Sequence, residues 1–195
     1  FQNKKRDLSD VLSTVVKDEP RFISNFRNLG IATQQKHEWL EDQIAGRSIV
    51  ATAVSALACT VSAADAVPDD FKADLLILGS STWGCGELQD DWQSALPMLE
   101  AADLSGRKVA LFGLGDAVGF ADTYLNAMGE IGDIVKAAGG ILIGAWESAG
   151  YPHSASTAEE NGHFIGLALD DDNEPGETAG RIGRWCAQLK TEAGL

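Results

Sequence analysis

Two segments of this chain place an aromatic side chain among glycines. Segment 80–89 holds Trp83 with glycines at 84 and 86, and segment 114–122 holds Phe120 with glycines at 115 and 119. Two aromatic side chains on neighbouring loops can enclose a flat ring, which also covers their own apolar surface. These residues therefore indicate binding of a planar ligand. The alternative left open is that Trp83 folds onto the local protein surface.

The elements that must position these segments are four apolar runs without polar alternation, typical of strands buried on both faces of a parallel sheet. They span residues 74–79, 108–113, 141–146 and 164–169. Apolar residues at helical spacing between and after these runs predict three helices. The alternation predicts a doubly wound α/β sheet, whose ligands bind beyond the carboxyl ends of the strands. Trp83 and Phe120 both follow predicted strands.

Specific motifs stand at the ends of these elements. They are TW-x-x-GELQ-x-DW at 82–92, F-G-x-GD-x-x-G at 112–119 and FIGLALD-x-DN at 164–173. With them, residues 71–195 resemble a long-chain flavodoxin. The resemblance implies an α/β flavodoxin-like doubly wound parallel sheet of strand order 2-1-3-4-5. It also implies that residues 151–163 correspond to the insertion that divides the last strand.

The function implied by the resemblance is one-electron transfer at low potential by non-covalently bound FMN, in a carrier rather than an enzyme. Trp83 would cover one face of the flavin ring and the loop of Asp116 the other, with Phe120 standing where the family usually has Tyr. Asp172 would lie near the ribose and the ring. The implied cofactor-binding residues are Ser81, Thr82, Trp83, Gly84, Cys85, Gly86, Gly115, Asp116, Phe120 and Asp172.

One feature of that family is missing from residues 1–70. Flavodoxins bind the FMN phosphate in a T-x-T-G-x-T turn, where hydroxyls and amides at a helix N-terminus face the dianion. The nearest segment here, residues 29–35, has one hydroxyl and one glycine. Whether residues 1–70 contain a phosphate loop stays open.

The charge of the chain is strongly acidic. Its 195 residues carry 29 acidic and 15 basic side chains, a net charge of −14, and residues 71–195 hold 19 of the acidic and 7 of the basic ones. This field disfavours nucleic acid and anionic membranes and favours redox partner proteins with basic docking faces. Three cysteines without a CxxC pair and an N-terminus without an apolar signal core predict a cytoplasmic protein.

A change in composition near residue 68 divides the chain into an atypical segment, 1–68, and a flavodoxin-like domain, 69–195. Residues 48–54 and 59–62 predict two strands joined by a short turn. Residues 7–43 are similar to the N-terminal arm of a family of tailed-phage major capsid proteins. The alternative function is therefore a structural virion or shell protein, or a chimera, whose flavodoxin-like part is not redox-active. Self-association through residues 1–68 also stays open.

Other patterns favour plain structural interpretations. The GxGxxxG spacing at 113–119 follows an interior strand, which disfavours a dinucleotide site. Cys85 has no neighbouring histidine to activate its thiol. His153 and His163 are interpreted as surface histidines, and the acidic run 170–172 as a solvated edge rather than a calcium loop.

Overall fold

The central sheet contains the strands that the apolar runs predict, in the order expected. The structure, a computed structural model, describes residues 49–54, 57–63, 66–73 and 75–194. Predictions for residues 7–43, including the candidate phosphate segment 29–35, lie outside the described residues. Along the sheet the strands are β2 (Leu57–Ser62), β1 (Ile49–Val54), β3 (Leu75–Trp83), β5 (Lys108–Leu114) and β10 (Leu167–Leu169).

The middle of the sheet is buried on both faces, as predicted. Strands β3 and β5 run parallel, with Leu75 beside Lys108 and Ser81 beside Leu114. Their side chains alternate between two hydrophobic layers, so that Leu76 packs in one layer and Ile77 in the other. Each fully buried Leu or Ile stabilises the fold by about 1.5–3 kcal/mol, so a shift of register by one residue would be costly.

Three described α-helices cover these layers, and their buried faces match the predicted apolar stripes. Helices α1 (Trp92–Glu100) and α2 (Asn126–Ala137) lie on one face, and α3 (Thr178–Ala193) lies on the other. Pro68–Lys72 forms a short 3₁₀ helix before β3. No helix in the described ranges is both long and apolar enough to cross a bilayer.

The first two strands form the predicted hairpin. Two residues separate β1 from β2, and Val54 pairs with Leu57. A link this short joins antiparallel strands only. Strand β1 is also antiparallel to β3, with Ile49 beside Gly79. The order 2-1-3-4-5 is confirmed, and the sheet is mostly parallel, with β1 antiparallel to both of its neighbours.

The last strand of the sheet is divided. Strand β6 (Ile141–Ile143) pairs with the first half of β5, and β10 pairs with the second half on the same side. The predicted runs 141–146 and 164–169 are therefore each split. The residues between β6 and β10 contain a small antiparallel sheet of β7 (Trp146–Glu147), β9 (His163–Phe164) and β8 (Glu159–Glu160).

A glycine lies at each of these breaks. Gly144 has a φ of +79°, a left-handed conformation that ends β6 and that a side chain would oppose. Gly166 lies against the backbone of Leu111, where a Cβ would collide with the carbonyl. The insertion consequently spans residues 144–166, more than the 151–163 expected.

Candidate cofactor site

The carboxyl end of β3 carries two buried hydroxyl groups. Ser81 Oγ and Thr82 Oγ1 are shielded from solvent, and neither has a hydrogen-bond partner among the described residues. Gln89 is fully buried beside them and fixes the strand end, because its Oε1 accepts bonds from Ser80 Oγ and Ser81 N, both at 3.3 Å. The strand thus ends with two buried hydroxyl groups whose hydrogen-bonding capacity the described residues do not use.

The next residues, 83–86, make a tight reversal that we call the Trp83 turn. Gly86 N donates to Trp83 O at 3.0 Å, and β4 (Glu87–Leu88) pairs back onto the end of β3. Gly84 and Gly86 have φ values of +52° and +115°, which glycine adopts without a Cβ clash. Trp83 is half-buried against the layer under α3, and Cys85 is exposed. The turn holds the indole at the sheet edge.

The segment after β5, residues 115–123, is called the Phe120 loop. Asp116 Oδ1 accepts bonds from Val118 N at 2.9 Å and Gly119 N at 2.7 Å, so this carboxylate shapes the loop from inside. These bonds, that of Gly119 foremost, and the Asn173 amide hold the pKa of Asp116 below its ordinary value. Phe120 is 50% exposed and Val118 59%. The loop therefore presents apolar side chains outward.

A third segment, after β10, joins the Phe120 loop. Asp170 is 1% exposed, and its Oδ2 accepts a bond from Ala117 N at 3.0 Å. Asn173 Nδ2 donates to Asp170 and, at 2.8 Å, to Asp116 Oδ1. The acidic run is thus not uniformly solvated. Asp170 is buried, Asp171 is half-buried and bonded to Thr178, and only Asp172 is exposed.

Asp172, a predicted cofactor-binding residue, stands close to other negative charge. Partial burial, followed by the charges of Asp116 and Asp170, raises the pKa of Asp172 above its ordinary value. Glu87 and Asp122 are further exposed carboxylates in the two loop segments. This edge of the sheet therefore opposes the placement of additional negative charge.

The insertion braces the Phe120 loop from outside. Ser154 N and Ala155 N both donate to Ala121 O, at 2.7 and 3.1 Å, and Thr157 N donates to Asn126 Oδ1 at 2.9 Å. Loop and insertion are consequently connected by backbone hydrogen bonds.

His153, in the same insertion, corrects a sequence-based expectation. Its side chain is 7% exposed, its Nε2 lies 2.8 Å from Glu159 Oε2, and its ring centroid lies 5.0 Å from that of Phe164. It is a packed histidine rather than a surface one, whereas His163 is exposed.

Sequence reasoning missed Gln89, Asp170 and Asn173, all of which shape this edge. The signal for Asp170 is a polar residue directly after a buried strand, since a polar group that is buried there requires partners. Gln89 follows β4, which is not buried, and gave no such signal. Asn173 belonged to a recognised motif but had no assigned contact. The geometry brings the residues of each predicted segment together at strand ends, with Asp116 linked to the segment of Asp172.

Sheet order and a divided last strand define a doubly wound α/β protein, and segments that each carry an aromatic residue lie at the ends of two neighbouring strands. The family model described as Flavodoxin matches residues 38–185. The chain belongs to the flavodoxin family.

Individual relatives agree. The chain is 49% identical over 122 residues to a flavodoxin of Picosynechococcus sp., covering 63% of this chain and 72% of that protein. It is 40% identical over 159 residues to a flavodoxin of Synechocystis sp., covering 81% and 89%. The structure of Fusobacterium nucleatum flavodoxin bound to flavin mononucleotide matches with a TM-score of 0.64 and 35% identity, covering 67% of this chain and 78% of that one.

The comparisons give no support to the capsid resemblance of residues 7–43. They also disfavour the alternative of a structural shell protein, because the relatives and the solved structures are flavodoxins.

Proposed function

We propose that this chain binds FMN non-covalently at the carboxyl edge of its sheet and carries single electrons between partner proteins. The observation that carries the proposal is the pair of buried hydroxyls, Ser81 Oγ and Thr82 Oγ1, next to Trp83. Burying a polar atom without a partner costs about 1–3 kcal/mol, which a bound ligand with polar edges offsets. Family membership, and the FMN in the Fusobacterium nucleatum structure, identify the ligand class.

The residues present fit a flavin in defined roles. Trp83 and Phe120 would be the inner and outer walls, and Ser81 and Thr82 would meet polar atoms of the ligand. Gly84, Cys85 and Gly86 form the turn beside one wall, Gly115 and Asp116 shape the loop that carries the other, and Asp172 contributes charge at the rim. The divided last strand supports membership of the long-chain group.

Bound FMN would supply the one-electron chemistry, and the chain supplies packing and charge. The carboxylates of Asp116, Asp122 and Asp172 disfavour added negative charge at the site, so the electron is held at low potential. The same charges favour partners that present a basic docking face. The protein's role is to carry electrons rather than to transform a substrate.

The test is a titration of the protein with FMN, followed by flavin absorbance and fluorescence quenching. Thr82→Val keeps the side-chain shape and removes the hydroxyl. We expect it to weaken FMN binding by about 0.5–1.5 kcal/mol, while the flavin-free protein stays as stable or gains stability. Thr191→Val, on the exposed side of α3, is the matched control.

Absence of FMN binding by the parent protein would overturn the proposal. A parallel titration with riboflavin separates ring binding from phosphate binding. Similar affinities for the two flavins would show that no backbone amides bind the phosphate. A preference for FMN of about a hundredfold would show that the protein has a phosphate-binding segment.

A further inference from the structure

The Phe120 loop has little apolar anchorage of its own. Val118 and Phe120 are each at least half exposed, and Ala117 is the one fully buried side chain between Asp116 and Phe120. An alanine buries too little surface to fix the shape of a loop. Polar contacts must therefore set the position of this wall.

Those polar contacts converge on few acceptors. The amides of Val118 and Gly119 donate to the Asp116 carboxylate, and Phe120 N donates to Asp116 O at 3.1 Å. The Ala117 amide donates to Asp170 Oδ2, and Gly115 N donates to Leu169 O at 3.1 Å. The backbone of the loop is thereby bonded both to itself and to the end of β10.

Asp170 and Asn173 complete this connection. Asp170 Oδ1 accepts from Asn173 N at 3.0 Å, and the Asn173 side-chain amide bridges Asp170 to Asp116. A carboxylate that is 1% exposed loses its hydration, and only good hydrogen bonds compensate for that loss. The hydrogen bonds to the Asp170 carboxylate come from Ala117 in the Phe120 loop and from Asn173, which also bonds Asp116 in that loop.

We infer that Asp170 and Asn173 are positioning residues that hold the outer wall of the cofactor site. The three residues Asp116, Asp170 and Asn173 form what we call the Asp170 clasp, which fixes the loop before any ligand binds. The consequence for FMN rests on the proposed function, but the clasp itself is a property of the flavin-free protein. The two can therefore fail separately.

The first experiment is site-resolved amide hydrogen exchange in the flavin-free protein. Asp170→Asn places an amide donor opposite the Asn173 donors, and we expect exchange at Ala117 to accelerate by about 10- to 100-fold, since the lost bonds involve a buried charge. Asp171→Asn removes the neighbouring charge, which bonds Thr178 rather than the loop, and should leave Ala117 unchanged.

Asn173→Ala is the second variant, because Asn173 is exposed and its truncation leaves the core intact. It should accelerate exchange at Val118 and Gly119 by freeing Asp116. Unchanged exchange at all three loop amides would overturn the inference. So would an equal acceleration at Val109 and Leu111 in β5, which would show a global loss of stability instead.

The second readout uses FMN-loaded protein. A misplaced wall should weaken FMN binding by about tenfold in Asp170→Asn and shift the visible absorption spectrum of the bound flavin, with no such change in Asp171→Asn. A faster-exchanging loop with unaltered FMN affinity and spectrum would overturn the positioning role. Failure of the parent protein to bind FMN would instead defeat the proposed function and leave the exchange result to decide on the clasp.

Discussion

Trp83 and Phe120, the two aromatic residues proposed as walls of the cofactor site, are held in place by different means. The Trp83 turn is fixed by its backbone, with a reversal at Gly84–Gly86 and the pairing of β4 onto β3. The Phe120 loop also has backbone hydrogen bonds, but in addition it depends on two side chains, Asp116 from within and Asp170 from the neighbouring segment. The Trp83 turn thus depends on conformations that glycine permits, and the Phe120 loop depends in addition on carboxylate oxygens that accept its amide hydrogens.

This difference teaches that the two walls are sensitive to different perturbations. A Cβ at the left-handed position of Gly84 should disturb the Trp83 turn and spare the Phe120 loop. Removal of the Asp170 charge should disturb the Phe120 loop and spare the Trp83 turn. The two aromatic residues also differ in burial. Trp83 is partly buried and packs against the core, whereas Phe120 is 50% exposed.

The largest expected effect is the loss of FMN affinity when either aromatic side chain is removed. Trp83→Ala should weaken FMN binding by about 1–3 kcal/mol, with base–aromatic stacking as the guide. Phe120→Ala should cost less, about 0.5–1.5 kcal/mol, because its smaller ring starts from a more exposed position. Fluorescence titration measures both, and Val118→Ala, at an equally exposed neighbour, is the control. Equal losses for the two aromatics would remove the distinction between an anchored and an exposed wall.

The sequence predicted the centre of this molecule better than its edges. Apolar runs located β3 and β5 because strands buried on both faces leave a continuous apolar signal. The same signal misjudged residues 141–146 and 164–169, since apolarity does not reveal where the backbone turns. Gly144 ends one of these runs by its left-handed conformation, and Gly166 interrupts the other by its contact with Leu111.

The candidate site shows a similar division. The aromatic and glycine residues were visible as a pattern, and the motif shared with flavodoxins added Asp116 and Asp172. Asp170 was interpreted as solvated because carboxylates usually are, yet one of its hydrogen-bond partners, Ala117, lies 53 positions away in the chain. When a side chain is buried against a partner so distant in the chain, no local sequence periodicity indicates that burial.

The second prediction tests the backbone dependence of the Trp83 turn. Gly86→Ala should lower the free energy of unfolding by about 1–3 kcal/mol, because a φ of +115° is strained for a residue with a Cβ. That Cβ would also lie 3.0 Å from Asn126 Nδ2. Gly84→Ala should cost only about 1 kcal/mol, since its φ of +52° is left-handed helical and the clashing Glu87 carboxylate can swing into solvent.

Denaturant unfolding of the flavin-free protein measures these costs, and Gly183→Ala is the matched control. Gly183 lies within α3 with open space around its Cα, so alanine there should stabilise the helix by about 0.5–1 kcal/mol. Amide exchange at Gly119 should be unaffected in Gly84→Ala, whose Cβ would lie nearest to Glu87, whereas the Cβ of Gly86→Ala would also lie 3.3 Å from Thr123 Cβ in the Phe120 loop. The test of coupling therefore uses Gly84→Ala. Acceleration at Gly119 would mean that the two walls are coupled rather than independently held.

The smallest expected effect is a difference in how the stability of the Phe120 loop and of the Trp83 turn depends on pH. The pKa of Asp116 is lowered from its ordinary value of 3.8, chiefly by the Gly119 amide and then by Asn173. A carboxylate with a lowered folded pKa stabilises the folded state above its unfolded pKa, and that contribution disappears as the pH falls through the folded value. Asp172 has the opposite sign, because its pKa is raised, first by partial burial and then by the charges of Asp116 and Asp170. Protonation relieves both costs, and Asp172 takes up its proton first as the pH falls. The Phe120 loop should therefore tighten slightly on mild acidification and then loosen below about pH 3.8, each change being worth less than about 1 kcal/mol at these partly exposed groups.

The measurement is the exchange protection of Gly119 and Gly86 between about pH 2 and 6, corrected for the intrinsic exchange rate. Gly86 donates to a backbone carbonyl, Trp83 O, so its protection should not follow the titration of Asp116. Asp116→Asn retains an acceptor oxygen for the loop amides but cannot ionise, and it should abolish the loss of Gly119 protection at low pH. If Gly86 and Gly119 lose protection together in the parent protein, acid acts on the whole fold. In that case the carboxylates are not what distinguishes the Phe120 loop from the Trp83 turn.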